Sequence, residues 1–132
     1  MQLRPGARGL STDVCVPVSR LADCVSAAQD RLAAMGMLAP IVGHVGDGNF
    51  HCLLLVDTED AAEVAQAEEF IGWLNELAIS MDGTCTGEHG IGQGKAGYLE
   101  RELGQGAMGM MQAIKRAVDP LNILNPGKMG LG

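Results

Sequence analysis

The sequence predicts an α+β domain, a ferredoxin-like antiparallel sheet with helices on one face, plus short C-terminal helices. Three observations predict it. Two apolar runs, Leu38 to Val42 and Cys52 to Val56, flank the glycine-rich stretch Gly43-His44-Val45-Gly46-Asp47-Gly48-Asn49-Phe50-His51, the pattern of an antiparallel hairpin. Apolar residues at steps of three or four mark a helix before this hairpin and another after it. The resulting order of strand, helix, strand, strand, helix is most of a split βαβ unit.

Residues 1–11 contain Gly, Arg and Pro without periodicity. Thr12-Asp13-Val14-Cys15-Val16-Pro17-Val18 has the β-branched richness of a strand, which Pro17 confines to an edge or to its last residues. Ser19 is placed to cap a helix over 20–35, with Leu21, Val25, Ala28, Leu32 and Met35 on its inner face. Gly36 closes that helix. Strands over 38–43 and 51–57 follow, joined by a turn at 45–49. Asp57 or Thr58 is placed to cap the next helix, whose inner face is Val64, Ala67, Ile71, Leu74, Leu77 and Met81, flanked by Phe70 and Trp73. Residues 82–94 hold five glycines and form a loop, with a short strand around Thr84–Thr86. Helices over 95–103 and 107–118 are separated by Gly104 and Gly106, and Asp119-Pro120 ends the second. Met108, Met110 and Met111 read as helix core. Asn125-Pro126-Gly127-Lys128 reads as a turn.

At 132 residues the chain is expected to form a single domain, burying roughly two-thirds of its unfolded surface. The core must be aliphatic and Met-filled, since 47% of residues are apolar and only 3% aromatic. A formal charge of -7 argues against nucleic acid or an anionic membrane as the main partner, because both need clustered cations. No apolar run approaches the ~20 residues of a membrane span, and no signal-peptide core follows Arg4 and Arg8. A cytoplasmic or matrix-facing protein is expected, with the periphery of an inner membrane as a second setting. Cys15, Cys24, Cys52 and Cys85 lack C-x-x-C spacing, and three lie in apolar patterns, so reduced, buried thiols are expected.

All three histidines lie in two dense stretches, 43–51 and Gly87-Glu88-His89-Gly90-Ile91-Gly92-Gln93-Gly94-Lys95. His44 and His51 stand at the ends of two strands beside a glycine-rich turn, which lets a ligand approach the backbone. Two histidines and one carboxylate with open positions suit zinc, manganese or iron, and Glu88 is the natural third ligand. His89 cannot easily share the direction of its neighbour and is free for proton transfer. The alternative is a pair of packed or surface histidines. A phosphate-binding reading of 87–95 fails, because Lys95 is followed by Ala96 and Glu88 repels phosphate. The loop instead packs against a flat cofactor or another domain, or merely connects. Turn chemistry accounts for Asp47, and Asp13 stands at a strand end.

Thr12-Asp13-Val14-Cys15-Val16-Pro17, the G-H-V-G-D-G-N-F-H of 43–51, the G-T-C-T-G-E-H-G-I-G of 83–92 and the L-N-P-G-K of 124–128 follow one another in order. Together they resemble the C-terminal part of the FAD-linked oxidases of the vanillyl-alcohol oxidase and p-cresol methylhydroxylase superfamily. Within it the chain is most similar to the cytochrome-linked D-lactate dehydrogenases, and next to the flavin subunit of glycolate oxidase. The resemblance covers essentially the whole chain.

It implies a substrate and cap domain in which His44, His51 and Glu88 hold a divalent metal, zinc or manganese. It further implies that His89 takes the substrate hydroxyl proton and that the Asn125 turn lies near the flavin of FAD. It implies a small 2-hydroxy acid as substrate, and a cytochrome, quinone or electron-transfer flavoprotein as electron acceptor. Leu53 is apolar where hydroxyglutarate-type relatives carry an amide, which favours lactate or glycolate. The family's FAD-binding domain and its substrate-carboxylate arginine are expected upstream of Met1, and neither Arg4 nor Arg8 is assigned that role. The chain alone is therefore expected to hold metal without turning over, and to self-associate into a homo-oligomer through apolar surface that the FAD domain covers. A non-catalytic, metal-binding ferredoxin-like module is the reading from another class.

Overall fold

The computed structural model describes residues 3–132, arranged as two compact units, Met1–Glu88 and His89–Gly132. The first unit is built on β4 (Asn49–Val56). Strands β1 (Arg8–Ser11) and β2 (Val14–Cys15) pair antiparallel along one side of it, and β3 (Ile41–His44) along the other. A single antiparallel bridge between Cys15 and Thr84 adds the trace of a further strand outside β2. The order across the sheet is thus Thr84, β2, β4, β3, with antiparallel neighbours throughout, which is the split βαβ arrangement.

Strand β1 falls within a stretch without strand periodicity. Pairing with the apolar end of β4, from Arg8 opposite Val56 to Ser11 opposite Leu53, makes this strand where local propensity does not. Strand β3 begins at Ile41 rather than Leu38, because Pro40 has no N–H to give the ladder. Carbonyls of Pro40 and Leu38 still accept from Leu53 and Leu55. Strand β4 begins at Asn49, two residues before the expected start at His51.

Helices α1 (Leu21–Ala34) and α2 (Ala61–Ser80) pack on one face of the sheet. The core between them holds Val14, Phe50, Cys52 and Leu54 from the sheet, Cys24, Ala28 and Leu32 from α1, and Ala67, Phe70, Leu74 and Ala78 from α2. Phe70 is fully buried, so it forms the centre of the α2 face instead of its flank, and Ile71 turns to the margin. Both N-caps differ from expectation. A 3-10 turn over Val18–Arg20 precedes α1, leaving Arg20 at the cap position without a side-chain bond, and Ser19 inside the turn. Asp60 caps α2 by accepting from the amides of Ala62 (2.8 Å) and Glu63 (3.4 Å), whereas Asp57 closes the preceding turn on Glu59. Gly36 follows α1 at φ 66°, as a helix-ending glycine should. All four cysteines are free thiols, and burial pushes Cys24 and Cys52 up to about 11.

Arg4 forms a two-pronged pair with Glu63, both contacts 2.7 Å, and also donates to the carbonyl of Leu55. The hydrogen bond from Arg4, joined by one from the Asp57 amide, holds the Glu63 carboxyl down at about 2. A depressed carboxyl stabilises the fold above its ordinary value near 4.5 and loses that contribution as pH falls toward 2. Urea midpoints taken between pH 6 and pH 2 should therefore fall less steeply for Arg4→Gln than for the unaltered chain. Parallel acid limbs would remove this pair from the account.

The second unit contains α3 (Ala96–Val118), broken at Gly104, whose φ of 79° and ψ of 162° are not helical. The expected division at Gly104 is thus present as a kink. Met108 is buried and Met111 half-buried, but Met110 is 68% exposed, so only part of the methionine cluster is core. Asp119 closes the helix by accepting from Lys115 and from the amides of Ile123 and Leu124.

Candidate metal centre

The register of the sheet determines which side chains share a face. Ser11 lies opposite Leu53 and Val14 opposite Phe50, so the two residues between β1 and β2, Thr12 and Asp13, lie opposite Cys52 and His51. On the other side His44 lies opposite Asn49, and Val42 opposite His51. Alternation then sends Val14, Phe50, Cys52 and Leu54 toward the helices, and Asp13, Asn49, His51 and His44 to the opposite face. The pleat that buries the core gathers the polar residues.

The hairpin turn brings His44 and His51 together. Residues Val45–Asp47 form one 3-10 turn and Gly48 reverses the chain at φ 75°, a left-handed conformation that glycine adopts without strain. The imidazole rings stand 6.2 Å apart, nearly perpendicular at 89°. Glu88 enters from the loop after α2. Its carboxylate oxygens lie 3.6 Å from His44 Nε2 and 3.2 Å from His51 Nε2. One ligand atom from each of the three residues lies within 4.8 Å of the others. Ligands about 2.1 Å from a shared cation stand roughly 3–4 Å apart, so small side-chain rotations would close the set.

The second-layer contacts suit the same purpose. His51 Nδ1 is 2.8 Å from the carbonyl of Thr12, which can only accept, so Nδ1 donates there and Nε2, 3.2 Å from Glu88, is the ring nitrogen placed to meet a cation. His51 is buried, whereas the His44 and Glu88 side chains are 60% and 51% exposed. One ligand is thus fixed in the sheet, and two face solvent and leave room for a further molecule. Two imidazole nitrogens and one carboxylate fit zinc, manganese or iron.

The structure brings His44, His51 and Glu88 together. His89 and Asn125 belong to the second unit, and both are exposed. Asn125 sits at φ 52° in the turn before Pro126, a conformation asparagine tolerates. Three residues escaped the sequence reading of the site: Thr12, Asp13 and Asn49. Asp13 is 1% exposed, and its carboxylate accepts from Asn49 Nδ2, Thr86 Oγ1 and the amides of Gly87 and Glu88. An acid inside a β-branched run was the available signal, because aspartate is depleted from strands unless something holds it there.

Comparison with known proteins gives this geometry a family. Residues 1–129 match the family described as FAD linked oxidases, C-terminal domain. The chain is 49% identical over 98% of its length to the "Probable D-lactate dehydrogenase, mitochondrial" of Danio rerio. It is 45% identical over 96% to D-lactate dehydrogenase (cytochrome), mitochondrial, of Arabidopsis thaliana, and 43% identical over 89% to glycolate oxidase subunit GlcD of Bacillus subtilis. It spans 26%, 22% and 25% of those three proteins. A solved 4-ethylphenol oxidase from Gulosibacter chungangensis shares the fold at a TM-score of 0.69 and 21% identity, over 98% of this chain and 26% of that one. The chain belongs to the family of FAD-linked oxidases, as their C-terminal domain.

Proposed function

We propose that this chain is the substrate domain of an FAD-dependent D-2-hydroxy-acid dehydrogenase that oxidises D-lactate to pyruvate. The observation that carries the reading is the convergence of His44, His51 and Glu88 on the polar face of the sheet, with His51 Nε2 turned toward Glu88. When bound, a divalent cation supplies Lewis acidity that makes an α-hydroxyl easier to deprotonate, and FAD supplies the acceptor for the C2 hydride. His44, His51 and Glu88 bind and orient. His89 accepts the hydroxyl proton on a ring nitrogen, a role that histidine as a residue type fills near neutral pH. Asn125, on an exposed turn, offers an edge contact to the flavin, while most FAD contacts belong to a domain outside this chain.

Leu53, two residues past His51, shares its face of β4 and is half-buried. An apolar neighbour there favours a small aliphatic 2-hydroxy acid over one with a second carboxylate. The identities of 49% and 45% to D-lactate dehydrogenases support lactate, and the 43% identity to a glycolate oxidase subunit makes glycolate the second reading. The name of the plant relative favours a cytochrome as electron acceptor, and both dehydrogenases are named as mitochondrial. No helix among the described residues is long and apolar enough to cross a membrane.

The test uses the full-length enzyme from which this domain comes. D-lactate should give the highest kcat/KM in a panel with glycolate, L-lactate and D-2-hydroxyglutarate. Equal or better turnover of glycolate would refute the substrate. His89→Gln should lower kcat by about 100-fold or more at unchanged metal content, and an unchanged kcat would take the proton-accepting role from His89.

A further inference from the structure

Between β1 and β2 the strand keeps its register, with the Thr12 amide still bonded to the Cys52 carbonyl, and each residue of the gap sends one group to the candidate site, Thr12 its carbonyl and Asp13 its side chain. The Thr12 carbonyl accepts the hydrogen bond of His51 Nδ1 at 2.8 Å. Asp13 does something larger. Its Oδ2 accepts from Thr86 Oγ1 at 2.9 Å, from the Gly87 amide at 2.8 Å and from the Glu88 amide at 3.1 Å, and its Oδ1 lies 3.2 Å from the Glu88 amide. One buried side chain thus grips three successive residues of a loop that has no ladder of its own. Asn49 Nδ2 holds Oδ1 from the other side at 2.9 Å while also donating to the Val14 carbonyl.

We propose that Asp13 is a positioning residue of the metal site, fixing the backbone of Thr86-Gly87-Glu88 so that the Glu88 carboxylate stands within reach of both His44 and His51. This rests on the metal-site reading above. A carboxylate suits the task because it only accepts, and its two oxygens can take several donors at once. An asparagine keeps only one of the two oxygens, so whichever way it turns its NH2 meets a donor, Asn49 Nδ2 on one side or the Gly87 amide on the other. Asp13→Asn therefore keeps the shape and loosens the grip. The Thr12-Asp13 pair sets both halves of the site, the ring orientation of His51 through one carbonyl and the placement of Glu88 through one carboxylate.

Two measurements on this chain decide the matter. The first needs no metal. In the metal-free protein, the Gly87 and Glu88 amides should exchange with solvent deuterium at least about tenfold faster in Asp13→Asn than in the unaltered chain, with α2 amides unchanged. Equal rates would overturn the proposal, and so would equal acceleration throughout α2, the sign of a merely structural role. Thr86→Val, which deletes one donor and leaves the carboxylate, should accelerate the same amides less. It carries this test if Asp13→Asn does not fold.

The second measurement is Zn2+ affinity by calorimetry. Asp13→Asn should weaken it about 10–100-fold, the usual loss when an outer partner of a metal ligand is removed. In a Glu88→Ala background the same substitution should change the residual affinity by less than about twofold, because its effect passes through Glu88. A full additional loss in that background would overturn the proposal. Absence of zinc binding by the unaltered chain would instead refute the metal-site reading, and amide exchange alone would then judge the role of Asp13.

Discussion

Replacing Gly48 with alanine is expected to cost about 4 kcal/mol or more of folding stability, enough to leave much of a marginally stable domain unfolded. Two independent causes add. Gly48 sits at φ 75°, where an L side chain costs roughly 1–2 kcal/mol. A Cβ there would also stand 2.0 Å from the Val16 carbonyl oxygen, which is backbone and cannot rotate away. Relief requires separating the turn from the chain after β2, and that breaks the 3.0 Å bond from the Val16 amide to the Gly48 carbonyl. The same turn holds His44 and His51 at its two ends, so whatever folded protein remains should have lost the site as well. A urea titration of the variant checks the first expectation. A loss below about 1 kcal/mol would show that the turn accommodates a side chain.

Gly87→Ala should spare the fold and damage the site. A Cβ on Gly87 would lie 1.7 Å from Asn49 Nδ2 and 2.7 Å from Asp13 Oδ1. The Asn49 side chain is itself buried and anchored to Asp13 and to the Val14 carbonyl, so moving it leaves buried donors and acceptors unpaired. The easier response is for the loop to lift, taking Glu88 away from the histidines and letting water replace the loop donors on the Asp13 carboxylate. Zn2+ affinity should therefore fall by about 100-fold or more, while the melting temperature shifts by only a few degrees. Unchanged affinity would mean that Glu88 does not depend on this loop geometry. The two glycines thus separate the hairpin that forms the sheet from the loop that completes the ligand set.

How much of this was legible in the sequence depends on the range of the interaction concerned. The hairpin, both core helices and the kink at Gly104 follow from local patterns: apolar alternation, steps of three or four, and glycine. Strand β1 does not, because Arg8-Gly9-Leu10-Ser11 becomes a strand only through its pairing with β4. The N-caps moved for a related reason. Asp57 and Asp60 are both capable caps, and the sequence does not tell which one closes the turn and which starts the helix. For the site, His44 and His51 are legible from their places around one turn. The partnership of Glu88 with them crosses 37 residues of sequence from His51, and its signal is a carboxylate in the second histidine-bearing stretch, where two histidines need a third ligand. Asp13 was visible but unassigned, since only the register of β2 against β4 places it opposite His51.

The metal centre is tested most directly by the stoichiometry of zinc and manganese binding by the metal-stripped chain, with His44→Ala and Glu88→Ala alongside. Both altered side chains are more than half exposed, so neither substitution should disturb the core. The site described here predicts one equivalent bound by the unaltered chain and affinity reduced at least about 100-fold by either change. No binding by the unaltered chain, or binding that both variants retain in full, would contradict it.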